Sequence, residues 1–216
     1  MKCDYRYIVV EGPIGVGKTT LVRRLAESLG GETLLEAAEE NPFLERFYEN
    51  PRYAALPTQL HFLFQRTRQL RELNQADLFR SLCVTDFMLD KDRLFARINL
   101  DDEEFALYDQ VWAQLSPQAP QPDLVVYLQA PVETLLARIH KRSRPFEQGF
   151  DRGYLERLSS AYMEFFHHYH GAPLLIVNAA GIDFSSNDED YRMLLDEILR
   201  HPHGRRYFNP LPVDLR

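Results

Sequence analysis

The sequence predicts an α/β domain with a parallel, doubly wound sheet, because strand-like runs alternate with helical stretches along its 216 residues. A glycine loop separates the first strand-like run from a helical stretch over 18–29, in the order strand, loop, helix. In such sheets ligands bind at the carboxyl ends of the strands, so the residues that follow each strand are candidates for chemistry. The five predicted strands cover residues 5–10, 33–35, 82–85, 124–128 and 174–177.

The predicted helices begin at recognisable signals. Asn41 and Pro42 form a cap followed by proline, and Pro57 opens a long amphipathic stretch that we expect to reach about Arg80. Further helices are predicted over about 101–115, 132–142 and 154–170. The proline-rich stretch 116–122 is a surface connection that is too short to separate domains.

Length and composition indicate one domain over residues 1–216, because 216 residues with 45% hydrophobic content fill one α/β core and are too few for two. The net charge of −7 argues against a nucleic-acid polymer as a partner, since phosphate-backbone affinity needs clustered lysine and arginine. No apolar run approaches the roughly 18 residues of a membrane span. Met1 leads almost directly into the first predicted strand. We therefore expect a cytoplasmic protein with no membrane partner.

Residues 12–19, Gly-Pro-Ile-Gly-Val-Gly-Lys-Thr, fit the phosphate-binding loop pattern G-x-x-x-x-G-K-[ST]. In this pattern the glycines let backbone N–H groups converge on a polyphosphate, the lysine reaches the β/γ oxygens, and the hydroxyl can ligate Mg²⁺. The following helix presents its N-terminus to the same phosphates. The predicted nucleotide-binding residues are Gly12, Pro13, Ile14, Gly15, Val16, Gly17, Lys18, Thr19 and Thr20, with Thr19 as a metal ligand.

Two acidic residues follow predicted strands. Glu36 comes after 33–35 and could act as a general base, whereas Asp86 comes after 82–85 and could hold Mg²⁺ directly or through water. Taken alone, an acidic residue after a strand is more often a helix cap or part of a solvated turn.

A cluster of cations lies at the end of a predicted helix and runs into 143–149, a loop with proline and glycine that is a candidate lid. Arginine's planar fork matches phosphate oxygens and can stabilise the charge of phosphoryl transfer. The alternative is that these cations favour the helix C-terminus. The cluster comprises Arg138, Lys141, Arg142 and Arg144.

These motifs together resemble the deoxynucleoside kinases, which include deoxycytidine, deoxyguanosine and deoxyadenosine kinases, and especially their bacterial members. The resemblance covers most of the chain: the glycine loop, Glu36, residues 41–48, 59–66 and 92–96, and the arginine-rich segment that ends in 147–149. It implies a P-loop kinase fold with a five-stranded parallel sheet and an arginine-rich lid. It also implies transfer of the γ-phosphoryl group of ATP, with Mg²⁺, to the 5′-hydroxyl of a deoxynucleoside, and a homodimer.

The resemblance also implies roles for individual residues. Glu36 resembles the general base that takes the 5′-hydroxyl proton, and Tyr48 with Glu147 resembles the pair that holds the sugar 3′-hydroxyl. Phe95 resembles the aromatic on which the base stacks. The polar residues that resemble those reading the base edge are Gln59, Arg66 and Asp92.

Helical spacing agrees with this assignment, because Gln59 and Arg66 are seven residues apart and share one helical face. Without the resemblance, the two would be ordinary exposed helix residues. On the donor side, the resemblance makes Arg138, Arg142 and Arg144 the lid arginines that close on the phosphates. It places Asp183 and Phe184 near the base of the phosphate donor.

The chain departs from the family at one point, where Thr85-Asp86-Phe87 stands in place of the usual Glu-Arg-Ser. In the family, that arginine is bound to phosphate and to the catalytic glutamate. Asp86 can replace the family's glutamate, but Phe87 cannot replace its arginine. We expect Lys91, Arg93 or a lid arginine to supply the missing charge; otherwise the catalytic rate suffers.

Two other functions compete with deoxynucleoside phosphorylation. A nucleoside monophosphate kinase, such as one acting on thymidylate, would share the loop, the lid and the sheet but needs cations for the acceptor's own phosphate. Here the acceptor region is acidic, with Glu36, Glu39, Glu40 and Glu45. A nucleotide-binding regulatory protein is the second alternative. The predicted base readers permit purines or cytosine, and the resemblance to bacterial members favours deoxyadenosine or deoxyguanosine.

Overall fold

The computed structural model describes residues 5–75, 82–116, 119–142, 151–200 and 203–210. Within them, six strands form one sheet in the order β2-β3-β1-β4-β5-β6, and every neighbouring pair is parallel. The doubly wound α/β prediction is confirmed. The strands are β1 (Tyr7–Glu11), β2 (Glu32–Leu34), β3 (Cys83–Thr85), β4 (Leu124–Gln129), β5 (Leu174–Asn178) and β6 (Arg205–Phe208).

The sixth strand makes the predicted count of five wrong. β6 pairs with β5 at the edge of the sheet, with Leu174 opposite Arg205 and Val177 opposite Phe208. The first three residues of β6 are exposed, and its sequence Arg-Arg-Tyr-Phe is not the continuous apolar run that is typical of a buried parallel strand.

Helices cover both faces of the sheet. One buried cluster contains Val9 and Tyr127, and the other contains Ile8, Val10 and Leu175. The alternation along β1 sends successive side chains to opposite faces. No helix among the described residues combines the length and apolar character that a membrane span requires. The helices are α1 (Lys18–Leu29), α2 (Leu44–Glu49), α3 (Pro51–Gln75), α4 (Asp90–Asn99), α5 (Asp102–Leu115), α6 (Val132–Arg142), α7 (Arg152–His167) and α8 (Asp188–Arg200), with a short 3₁₀ helix at Ala38–Glu40.

The longest helix, α3, begins six residues before the predicted start. Pro51 occupies its first position, where the N–H that proline lacks would have no helical partner, whereas Pro57 lies inside the helix. The predicted start at Asn41 and Pro42 is also early, because α2 begins at Leu44. The Asn41 amide instead accepts from Phe43 N at 3.0 Å and donates to Thr58 O at 3.1 Å, which ties this turn to α3.

Candidate active site

A cleft of about 1070 Å³ is lined by residues that follow β1, β2, β3 and β5. It therefore lies at the carboxyl ends of the strands, where open α/β sheets bind ligands. One wall, which we call the α3 side, consists of Leu44, Phe47, Tyr48, Thr58, Gln59, Phe62, Arg66, Lys91 and Phe95. The opposite wall, the α6 side, consists of Arg23, Arg138, Lys141 and residues 180–186.

The glycine loop between β1 and α1 has a backbone shape that side chains would prevent. Gly12 and Gly15 have φ of +148° and +84°, and a Cβ at either would lie within 3 Å of a carbonyl oxygen, that of Leu128 or Leu135. The loop thus packs closely on β4 and α6 while α1 begins at Lys18. This cradle before a helix N-terminus fits the polyphosphate of a nucleotide.

Most of the predicted loop residues line the cleft. Those from Ile14 to Thr20 do so, whereas Gly12 and Pro13 lie outside the lining. The carbonyl oxygens of Gly12 and Pro13 accept hydrogen bonds from Lys18 Nζ at 2.7 and 3.2 Å. Lys18 is therefore held over the loop to which the phosphates would bind.

Asp86 connects the glycine loop to the segment after β2. Thr19 Oγ1 donates to Asp86 Oδ2 at 2.7 Å, and the backbone N–H of Glu36 donates to Asp86 Oδ1 at 2.8 Å. Hydroxyl and carboxylate oxygens are ligands that Mg²⁺ accepts. Thr19 and Asp86 are therefore close enough to share one Mg²⁺ beside the loop.

Glu36 lies in a buried network of charges on the α3 side. Arg66, with 4% of its surface exposed, donates to Glu36 Oε1 through Nη2 and pairs with Asp92 through Nη1. Burial lowers the pKa of Arg66 to about 10, so it stays protonated at neutral pH. Asp92 is fully buried and does not line the cleft, so it lies behind Arg66.

The second oxygen of Glu36 contacts Lys91, whose Nζ lies 3.2 Å from Oε2. The same Nζ lies 3.9 Å from the Oε1 atom of Glu11, a fully buried carboxylate at the end of β1. Sequence reasoning missed Glu11. An acidic residue that ends a buried strand immediately before the glycine loop was the signal that could have revealed it.

The α3 side also presents an amide and aromatic rings. Gln59 is 3% exposed, and its Oε1 has no hydrogen-bond partner within the described residues. A buried amide oxygen is normally hydrogen-bonded, so this side fits a ligand that donates to it. Tyr48 and Phe95 line the cleft nearby, and Phe95 packs edge-on against Tyr162.

Arg138, predicted as a lid arginine, binds the backbone. Arg138 donates to Val16 O at 3.1 Å and to Ala179 O at 2.9 Å, which joins α6 to the glycine loop and to the end of β5. Burial lowers the pKa of Arg138. Arg142 is the last residue of α6 but its side chain, like Arg144 and Glu147, lies outside the described part of the chain.

The loop after β5 is held by its own side chains. The Asp183 carboxylate accepts hydrogen bonds from Ser185 and Ser186, which hold its pKa well below the usual range. The buried Phe184 ring packs against Gly17, and its carbonyl accepts from Arg24 at 3.0 Å. Both residues line the cleft, where they shape the wall on the α6 side.

The structure distinguishes among candidates for the missing arginine charge. Phe87 is fully buried in the core, and Arg93 pairs with Asp109 at 2.6 Å, between α4 and α5. Arg138 contacts carbonyl oxygens. Among the candidates with described side chains, Lys91 contacts Glu36.

Comparison with known proteins agrees with this geometry. The family model described as deoxynucleoside kinase matches residues 8–201. A deoxyguanosine kinase of Bacillus subtilis is 32% identical over 197 residues, covering 89% of this chain and 95% of the relative. A deoxyadenosine kinase of Lactobacillus acidophilus is 31% identical over 205 residues, covering 88% and 94%. The structure of a deoxyadenosine kinase from M. mycoides with bound dATP superposes with a TM-score of 0.79 at 25% identity, covering 89% of this chain and 98% of that one. The chain, with its P-loop fold, belongs to the deoxynucleoside kinase family.

Proposed function

We propose that the protein transfers the γ-phosphoryl group of ATP to the 5′-hydroxyl of a deoxynucleoside with a purine or cytosine base, in nucleotide salvage in the cytoplasm. The pairing of charges on the α3 side carries this proposal. Arg66 and Lys91, the cations described on that wall, each contact carboxylates. A nucleoside monophosphate would need cations for its own phosphate, so this wall suits a neutral acceptor.

In this proposal the reacting groups lie where the two walls meet. The Glu36 carboxylate takes the proton of the 5′-hydroxyl as that oxygen attacks phosphorus. Lys18 neutralises charge on the β/γ oxygens, and the lid arginines Arg138, Arg142 and Arg144 close over the phosphates. Thr19 and Asp86 would hold Mg²⁺, which supplies further positive charge beside the phosphates when bound.

The acceptor would lie along the α3 side. Gln59 and Arg66 are proposed to read the base edge, with Asp92 acting through Arg66, which it fixes from behind. Phe95 would stack on the base. Tyr48 and Glu147 would hold the 3′-hydroxyl of the sugar. The deoxyguanosine and deoxyadenosine kinases among the relatives support a purine acceptor.

A panel of nucleosides with radiolabelled ATP tests the proposal. Deoxyadenosine, deoxyguanosine and deoxycytidine are offered beside thymidine, thymidylate and a blank without acceptor. We expect labelled 5′-monophosphates from at least one of the first three. Transfer to thymidylate alone would favour a nucleoside monophosphate kinase, and nucleotide binding with no transfer would favour a regulatory protein.

The Phe87→Arg variant separates an active kinase from an impaired one. Phe87 is fully buried in an apolar cluster, so an arginine there would place a cation among apolar side chains. We expect a loss of about 3–5 kcal/mol in the free energy of unfolding and no gain in kcat. Urea denaturation and initial rates measure both, with Phe87→Leu as the control for lost ring volume. A large gain in kcat would mean that the wild-type site lacks the charge it needs, and would favour the regulatory alternative.

We further propose that the protein is a homodimer formed through its long helices, as the resemblance implies. Exposed apolar side chains of Tyr53 and Phe64 on α3 and of Leu107 on α5 support this, because these two helices pack on each other.

A further inference from the structure

Lys91 is a buried cation of the cleft that the family's Glu-Arg-Ser pattern does not include. It lies in the first turn of α4, four residues beyond Phe87, and 4% of its surface is exposed. We infer that Lys91 is the positioning residue that holds the Glu36 carboxylate for proton removal, in place of the arginine that Phe87 replaces. This inference rests on the proposed function.

The first support is that Glu36 is held from two directions. Lys91 Nζ lies 3.2 Å from Oε2, while Arg66 donates to Oε1. The backbone N–H of Glu36 is bound to Asp86 in addition. Each carboxylate oxygen thus has its own cation, which restricts rotation of the carboxylate about its terminal bond. A general base works efficiently only when it is held within reach of the proton it removes.

The second support is that Lys91 is itself held. Glu11 Oε1 lies 3.9 Å from Nζ, and Glu11 accepts hydrogen bonds from Gly12 N, Met88 N and the Tyr162 hydroxyl at 3.1, 2.9 and 3.1 Å. These donors come from the glycine loop, the segment after β3, and α7. A fixed carboxylate therefore gives the ammonium a second charged neighbour besides Glu36.

The third support is the cost of burying a lysine here. Burial lowers the pKa of Lys91 to about 8, although Glu11 and Asp86 act in the opposite direction. The positive charge of Arg66 on α3 lowers it further. An apolar side chain at this place would avoid the desolvation of an ammonium. The ammonium is retained here against its desolvation cost by the carboxylates of Glu11 and Glu36, so its position is tied to the carboxylate that it holds.

The departure at Phe87 completes the argument. The Phe87 ring belongs to the core, and the hydroxyl of Thr85 donates to the Phe87 carbonyl at 2.8 Å, so the segment after β3 sends an apolar side chain inward. The cation that contacts Glu36 instead arrives from α4. The Glu36 carboxylate is thus contacted by a cation on α4, and not by one in the segment directly after β3.

Two variants of Lys91 test the inference. Lys91→Met keeps the length and removes the charge, and we expect kcat to fall on the order of 100-fold while KM for the nucleoside changes little. Lys91→Arg restores a cation and should recover a large part of that loss. The matched control is Arg93→Met, which removes a cation two residues away whose partner is Asp109, and it should keep wild-type kcat.

A double-mutant cycle with Glu36→Gln then separates positioning from a general structural effect. If Lys91 acts through Glu36, Lys91→Met should cause little further loss of kcat in the Glu36→Gln background. Should Lys91→Met fail to fold, Lys91→Gln takes its place in the cycle, with the same expected result. An equal loss of kcat in both backgrounds would overturn the inference, as would wild-type kcat in Lys91→Met. Failure of the proposed function would look different, because the wild-type protein would then phosphorylate none of the nucleosides.

Discussion

Lys18→Ala is expected to reduce ATP-dependent phosphoryl transfer by at least about 100-fold, because the lost ammonium neutralises charge that develops on the phosphates. In the structure, Lys18 Nζ is held by the carbonyl oxygens of Gly12 and Pro13, directly over the glycine loop. Initial rates with radiolabelled ATP and saturating nucleoside measure the loss.

The fold should survive this change, since the lysine side chain contributes hydrogen bonds to the loop and no part of the buried core. Lys18→Met keeps the aliphatic stem and should be equally inactive, which separates lost charge from lost packing. Arg152→Ala, which removes an exposed cation paired with Glu133 and Glu156, should keep its activity. Normal turnover in Lys18→Ala would show that the loop does not bind the transferred phosphate.

Glu36→Gln is expected to lower kcat by about 10²–10⁴-fold, because the amide keeps the shape of the side chain and loses the basic oxygen. Nucleoside affinity should stay close to wild type, since Gln59 and Arg66 keep their side chains and Asp92 still pairs with Arg66. Rates under saturating substrates and nucleoside binding by calorimetry provide the two measurements.

The same substitution should also lower the stability of the fold. Glu36 is a shared partner of Arg66 and Lys91, so the neutral amide leaves both buried cations with less compensation. Thermal unfolding at several nucleoside concentrations separates this effect from catalysis. An unchanged kcat would transfer the role of base to Asp86 or remove a general base from the mechanism.

Features that depend on neighbours in the chain could be predicted from the sequence. The glycine loop is one continuous motif between a strand and a helix, and its residues Ile14 to Thr20 line the cleft. Glu36 and Asp86 can be predicted because ligands of open α/β sheets bind at the carboxyl ends of the strands, and this rule needs only the strand positions. The predicted helix start at Pro57 is wrong because a proline inside a helix and a proline at its start look alike in sequence. Tertiary packing decides between the two positions.

Features that depend on distant contacts could not be predicted in this way. The contact of Lys91 with Glu36 joins residues 55 positions apart, and no spacing rule selects that lysine over Arg93. Glu11 lies one residue beyond the predicted strand 5–10, and its hydrogen-bond donors come from distant segments that no local pattern reveals. β6 lacks the apolar signal of the other strands because its side chains are largely exposed at the sheet edge.

The hydrogen bonds that Glu11 accepts connect the nucleotide site to distant parts of the chain. Its carboxylate receives Met88 N and the Tyr162 hydroxyl, which lie 77 and 151 residues away along the chain. Contacts between such remote segments exist only while most of the domain is folded. We therefore expect the start of the glycine loop and the sheet to unfold as one cooperative unit, in the sense that native-state hydrogen exchange gives to that term. We therefore expect exchange of the Gly12 and Met88 amide protons, both bound to Glu11, to proceed through global unfolding rather than through a local opening of the nucleotide site, which hydrogen exchange at increasing denaturant concentration measures.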